Sequence, residues 1–155
     1  MTVLQICQRD VDLVDLDESA WAAAERMHQR SVGSLIVLNR LNQPIGIVTD
    51  RDLVVKILAP EKSPRTTRVR DIMTAPVKTV LDDASVEWAL SVMRDGEIRR
   101  LPVVDGEGRL VGVVTLDDVL TMLAHEFHEI GRLLNRQTPR AVVVHPNDES
   151  RSASE

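Results

Sequence analysis

Aromatic side chains are scarce in this 155-residue chain, which has no tyrosine, one phenylalanine and two tryptophans. Without a row of rings there is no stacking platform for single-stranded nucleic acid. The core must be built from Val, Leu, Ile, Ala and Met. The lone cysteine, Cys7, can neither close an internal disulfide nor supply a zinc cage, which fits a reducing compartment and makes the cytoplasm the expected location. Excess positive charge is missing too: 19 Lys and Arg stand against 24 Asp and Glu, a net charge of −5. That balance argues against nonspecific attachment to nucleic acid or anionic lipid. Aliphatic runs such as Leu35 to Leu38 are far too short to cross a bilayer, and the first residues have neither a basic leader nor an apolar stretch of signal-peptide length. With 43% hydrophobic and 28% charged residues, the chain is expected to fold as one ordinary domain or two very small ones.

The main feature present is an internal repeat. At an offset of 66, residues 3 to 58 align with 69 to 124 without a gap, and 14 of the 56 pairs are identical, among them Val3, Ile6, Asp17, Ser19, Met27, Leu35, Gly46, Thr49 and Asp52. Conservative pairs such as Val32 with Ile98 and Ile47 with Val113 extend the match. The chain is a duplicated unit.

Both copies read alike. A short strand near Val11 or Val77 is followed by Asp17-Glu18-Ser19 or Asp83-Ala84-Ser85, which offers N-cap chemistry to helices over about 19–30 and 85–95. Continuous apolar strands follow at Leu35 to Leu38 and Leu101 to Val104, then polar turns, then strands at Ile45 to Val48 and Leu110 to Val114 that run into second helices. The predicted class is α/β (α+β), strand-helix-strand-strand-helix in each copy. Residues 1–58 form the first unit, 59–68 a proline-containing linker, and 69–124 the second unit. The closing helix is predicted to extend over 125–136, with Leu120, Leu123, Phe127, Ile130 and Leu134 at three- and four-residue spacing, before a polar, disordered tail at 137–155.

Three segments of the second unit carry a family resemblance: Val69-Arg70-Asp71-Ile72-Met73-Thr74, Ile98-Arg99-Arg100-Leu101-Pro102-Val103-Val104-Asp105, and Gly112-Val113-Val114-Thr115-Leu116-Asp117-Asp118-Val119, the last echoed by Gly46 to Leu53. The chain resembles a tandem pair of cystathionine β-synthase (CBS) domains, often called a Bateman module. The resemblance covers roughly residues 3 to 124. It implies two units packed through their sheets about a pseudo-twofold axis, with two clefts that in this family commonly bind adenosine nucleotides, and it does not imply catalysis. It further implies that Thr74 and Lys78 approach the first unit's cleft and that Ile98, Arg99 and Arg100 border the second. Modules of this family often form flat homodimers.

The Gly-hydrophobic-hydrophobic-Thr-x-x-Asp turn has its own physical reading. A strand ending at Thr49 or Thr115 and turning at once into a helix leaves backbone N–H groups free for an anion, the threonine adds a hydroxyl, and Asp52 or Asp118 can accept from two ribose hydroxyls. The glycine allows close approach of a ligand. The same four residues also spell a capping box, in which they merely finish a helix, and both readings stay open. The clefts are unequal in sequence: Arg99-Arg100 replaces Gly33-Ser34 as a source of phosphate partners, while Arg51 stands opposite Asp117. His125 and His128 do not form His-Glu-x-x-His and read as surface residues. Trp21 and Trp88 sit one position apart in equivalent helices, so at most one is expected to face the core in the same way.

No serine or cysteine has a plausible histidine base, and no cofactor is required. The expected function is a non-catalytic adenosine-ligand sensor acting through self-association, as a homodimer, or through an effector protein. The alternative is a ligand-free dimerisation scaffold.

Overall fold

The computed structural model describes residues 1–137; the predicted tail lies outside the described residues apart from Gln137, which ends the last helix. The expected order appears twice. In the first repeat β1 (Leu13–Val14), α1 (Ala20–Arg30), β2 (Ser34–Leu38) and β3 (Pro44–Thr49) lead into α2 (Asp50–Leu53), which continues as a π-helical turn, Val54–Leu58. After a short helix α3 (Val69–Ile72) the second repeat supplies β4 (Val80–Leu81), α4 (Val86–Gly96), β5 (Arg100–Val104), β6 (Leu110–Thr115) and α5 (Leu116–Gln137).

Local chemistry sets the boundaries. Ser19 Oγ accepts from Ala22 N and Ser85 Oγ from Trp88 N, both at 3.1 Å, so serine caps α1 and α4 at equivalent positions. Each helix ends on a left-handed residue, Ser31 at φ 54° and Glu97 at φ 52°, which turns the chain into the central strand. That strand pairs parallel with the first and antiparallel with the third, giving two three-stranded sheets ordered β1-β2-β3 and β4-β5-β6. Both antiparallel ladders shift register at the same place, between Val37 and Leu38 and between Val103 and Val104. Leu35, Ile36 and Val37 are buried, as are Leu101, Pro102 and Val103, which is why the central strands are apolar on both faces.

The repeats exchange their lead segments. The stretch before the first repeat crosses to the second: Val3 N donates to Ala84 O and Leu4 N to Asp82 O, and Val3, Ile6 and Cys7 pack with Val80, Val86, Ala89, Leu101 and Val114. The stretch before the second repeat crosses back, with Val69 N to Glu18 O and Arg70 N to Leu16 O, and Val69, Ile72 and Met73 complete the core of Val14, Ala23, Leu35 and Val48. Each crossing ends as a rung on the other repeat's third strand. Gln8 pairs with Val113 and Thr74 with Ile47, positions related by the repeat, so the pair has pseudo-twofold symmetry. The sequence boundary at residue 58 therefore does not mark where the first repeat's packing ends.

Both tryptophans lie outside the cores. Trp21 is 44% exposed beneath the Arg65 guanidinium, 4.4 Å from the ring centroid, and Trp88 is 61% exposed. Met27 and Met93 fill the cores as expected, and Cys7 packs there as a small hydrophobe, with burial pushing its thiol pKa up.

One polar contact distinguishes the repeats. Arg26 grips Glu18 with two guanidinium nitrogens, at 2.6 and 2.9 Å, where the second repeat places Val92 and Ala84. The guanidinium, together with the Asp15 N–H, holds the Glu18 carboxyl below its ordinary value of 4.5. A carboxyl depressed in the folded state stabilises above its unfolded value and loses that contribution as acid titrates it. Glu18→Gln should therefore lower neutral-pH stability by about 1 kcal/mol and flatten the decline below the ordinary glutamate range in urea denaturation; an unchanged acid limb would contradict this.

The crossing segments also explain the repeated glycine. A Cβ at Gly112 would lie 2.6 Å from Gln8 O and 2.9 Å from Cys7 Sγ, and one at Gly46 2.5 Å from Met73 Sδ and 3.2 Å from Thr74 O. The room these glycines leave is filled by the protein's own chain, which corrects the expectation that they admit a ligand. Since a thioether can swing aside and a paired backbone cannot, Gly112→Ala should destabilise more than Gly46→Ala, by about 2 kcal/mol or more. Thermal unfolding should show this as a loss of about 4–8 °C for a chain of this size, and equal melting of the two variants would refute the account.

Candidate functional site

Two turns, Thr49 to Asp52 and Thr115 to Asp118, are built alike. In the first, Thr49 N and Thr49 Oγ1 donate to Asp52 Oδ2 at 2.9 and 3.0 Å, and Asp52 N donates to Thr49 Oγ1 at 3.2 Å. In the second, Thr115 N and Oγ1 donate to Asp118 Oδ2 at 2.8 and 2.7 Å, and Asp118 N donates to Thr115 Oγ1 at 3.1 Å. The capping box is fully formed in both copies. The threonine hydroxyl and one carboxylate oxygen are thus committed to the fold, which leaves the other carboxylate oxygen, Oδ1, outside the cap.

The first turn does not keep the free N–H groups that the sequence suggested for an anion. Asp50 N donates to Gly33 O at 3.0 Å, Arg51 N to Asp50 Oδ1 at 2.8 Å, and Asp52 N to the threonine. With α2 only four residues long before it widens into the π-helical turn, its dipole is short as well. At the second turn Leu116 N donates to Arg99 O at 2.9 Å, the equivalent of the Asp50–Gly33 bond, and α5 continues for 22 residues.

The outer oxygens have different partners. Asp52 Oδ1 receives Lys56 Nζ at 2.9 Å, and the same ammonium donates to Ile72 O at 2.6 Å. Asp118 Oδ1 accepts from Gln8 Nε2 at 2.9 Å, the amide arriving on the lead segment that pairs with β6. Lys56 and Gln8 were not singled out in the sequence. The i,i+4 spacing from Asp52 could have indicated Lys56, whereas Gln8 is 110 residues from its partner and carries no local signal.

The remaining predicted residues divide between the two turns. Thr74 is exposed and exchanges backbone bonds with Ile47 at 2.8 and 3.1 Å, two residues before Thr49, so it does reach the first turn. Lys78 lies against the C-terminal end of α4. A Cβ on Gly96 would be 3.1 Å from its Nζ and 3.2 Å from Ile98 Cγ1, which places Lys78 and Ile98 together on the second repeat. Among the described residues no hydrogen bond or ion pair joins Lys78 to the first turn. Arg51 is exposed beside Asp52. Arg99 approaches Asp117 Oδ1 at 3.7 Å with both side chains open to solvent, and Arg100 Nη1 donates across the pseudo-twofold axis to Ser34 Oγ, its own repeat-related position. The two arginines therefore stand at the edge of the second turn and between the turns, respectively.

A cavity of about 380 Å³ lies elsewhere, between Leu13 and Leu38 of the first repeat and Asp105 and Arg109 of the second, and none of the predicted site residues lines it. Among the described residues no group of three or more His, Cys, Asp or Glu could hold a metal, and no helix is long and apolar enough to cross a membrane.

Comparison with known proteins agrees with this architecture. The family model for the CBS domain matches residues 3–59 and 69–125. An uncharacterized protein of Methanopyrus kandleri is 42% identical over 120 residues, 77% of this chain and 61% of that one, so the chain spans about three-fifths of that relative. The crystal structure of Hypoxic Response Protein I with two coordinated zinc ions is similar at 32% identity and a TM-score of 0.71, over 78% of this chain and 98% of that one. The CBS domain pair of protein MJ0100, in complex with 5-methylthioadenosine and S-adenosyl-L-methionine, is similar at 27% identity and a TM-score of 0.70, over 79% and 99% of the two chains. With two matched copies covering most of its length, folded as two exchanged three-stranded units, this chain belongs to the CBS-domain family and is a tandem CBS pair.

Proposed function

We propose that the protein is a non-catalytic regulatory module that binds an adenosine-containing ligand at the Thr-x-x-Asp turns and passes the change on through self-association or an effector protein in the cytoplasm. The observation that carries this reading is the division of labour within each carboxylate. Oδ2 is fixed by two donors of the cap, while Oδ1 meets only a side chain, Lys56 or Gln8, that a ribose hydroxyl can replace. Capping and ligand binding are then compatible uses of the same residue. The solved CBS pair that holds methylthioadenosine and S-adenosylmethionine supports the ligand class. Thr49, Arg51, Asp52 and Thr74 are assigned to this role at the first turn and Ile98, Arg99, Arg100, Thr115 and Asp118 at the second, while Lys78, which lies beside Ile98, is moved from the first turn to the second. No cofactor is required.

The second reading is a ligand-free scaffold. It is favoured by caps that are complete without any ligand. Thermal melting with millimolar AMP, ADP, ATP, S-adenosylmethionine or NAD separates the two. A ligand at a hundred times its Kd should raise the midpoint by roughly 5–10 °C, and no shift with any of them would leave the scaffold. Asp118→Ala should weaken calorimetric binding about 10- to 100-fold, the loss expected when a charged acceptor is removed, measured well below the variant's own melting point because the cap is lost with it. Replacing Arg99 and Arg100 together by Ala should weaken ATP more than adenosine, since guanidinium groups address phosphate; an equal loss for both would remove the arginines from the phosphate role.

Self-association is assigned to the face of α5 that carries Leu120, Leu123, Phe127 and Ile130, which are 53%, 41%, 71% and 51% exposed. Their spacing keeps them on one stripe, and twofold pairing of copies is the commonest way to cover such a stripe. Light scattering should give a homodimer, and Phe127→Glu with Ile130→Glu should shift it to one 17.3 kDa chain; a monomeric parent would overturn this part.

A further inference from the structure

The two aspartates share one turn geometry and differ in what holds their outer oxygen. Lys56 closes on Asp52 with a charge-assisted bond of 2.9 Å and anchors itself on Ile72 O at 2.6 Å, the last carbonyl of α3. The Asp52 side chain is 13% exposed, and the ammonium bonds the one carboxylate oxygen that the cap leaves over. The equivalent residue in the second repeat is Met122, which cannot donate. There the outer oxygen of Asp118 has only the neutral amide of Gln8, on an exposed side chain.

We propose that Lys56 is a built-in competitor for the first cleft, so that an adenosine ligand occupies the Asp118 cleft first and the Asp52 cleft only at much higher concentration. The inference rests on the proposed adenosine reading and adds to it which turn does the binding and what restrains the other. To accept a ribose hydroxyl, Asp118 exchanges the bond of one neutral donor, the Gln8 amide, for that of another. Asp52 must release or share an ammonium whose second bond, to Ile72 O, ties the π-helical turn to the segment that crosses between repeats. Its carboxylate thereby gives up an oppositely charged partner for a neutral one. Losing that charge pairing is expected to open a gap of about tenfold in affinity, tenfold being about 1.4 kcal/mol. The ammonium also neutralises Asp52, while the other charges near the turns, Arg51 and Asp50 in the first and Arg99 and Asp117 in the second, are exposed.

The test uses the full chain and adenosine itself, so that phosphate contacts do not enter. Calorimetry of the parent should show one site per chain, with a second at least tenfold weaker. In amide NMR spectra the resonances of Thr115 and Asp118 should move before those of Thr49 and Asp52. Lys56→Met, which installs the residue of the other repeat, should bring the second site to within about threefold of the first, and Lys56→Gln should fall between. Asp118→Asn should abolish the tight site and leave the weak one. Two equal sites in the parent, first movement at Thr49 and Asp52, or a Lys56→Met protein with correctly dispersed spectra and an unchanged second site would overturn the proposal while leaving adenosine binding intact. Absence of binding to parent and Lys56→Met alike would overturn the adenosine reading, and this proposal with it.

Discussion

The contact on which the fold most depends is the laying of each crossing segment on the other repeat's third strand, Gln8 against Val113 and Thr74 against Ile47. A three-stranded sheet with one helix pair is too small to bury its own apolar faces well, and small domains bury a low fraction of their surface. By lending Val3, Ile6 and Cys7 to the second core and Val69, Ile72 and Met73 to the first, the repeats finish each other. Neither core is complete when the other repeat unfolds, so the two are expected to melt as one cooperative unit. Gly46 and Gly112 follow from this contact, because a side chain at either place would meet the crossing chain.

The same contact positions the turns. The third strand that receives the crossing segment ends two residues later in Thr49 or Thr115, and the capping box forms where the strand stops and the helix begins. On the second repeat the crossing segment itself reaches the turn, since Gln8 pairs through its backbone with Val113 and through its amide with Asp118. A ligand that displaces that amide acts directly on the segment that joins the repeats. Under the proposed reading, this gives occupancy of the second turn a route to the packing of the repeats.

Much of this was legible in the sequence because it is local or periodic. Ser19 and Ser85 announce their helices through cap chemistry, the apolar strands through unbroken runs, and the duplication through its constant offset. The Thr-x-x-Asp turns were found, with both of their readings, because four consecutive residues encode them. What could not be read is long-range. Nothing around Gly112 says that its space belongs to Gln8 rather than to a ligand, for the two are 104 positions apart. Arg100 looked like a phosphate partner on charge alone; that it also bonds Ser34 across the pseudo-axis depends on the packing of the two sheets. The one-residue offset of Trp21 and Trp88 allowed at most one of them to face the core; that neither does depends on the packing, where alanines at 20, 23 and 89 are among the buried residues of α1 and α4.

Duplication supplies two equal turns, and divergence then decides what each can do. Where a crossing segment lies against the third strand they stay identical, as at Gly46 and Gly112, because a side chain there would press on it. Where a side chain faces solvent or the cleft they part: Glu18 and Arg26 stand against Ala84 and Val92, Ser34 against Arg100, Lys56 against Met122. In the first of these an ion pair stands where the other repeat has two small apolar residues packed against its core. The other two move positive charge, placing an ammonium on Asp52 in one repeat and the Arg100 guanidinium against Ser34 from the other. The two halves therefore share a scaffold but not a charge distribution, and under the proposed function the two turns would answer one ligand unequally.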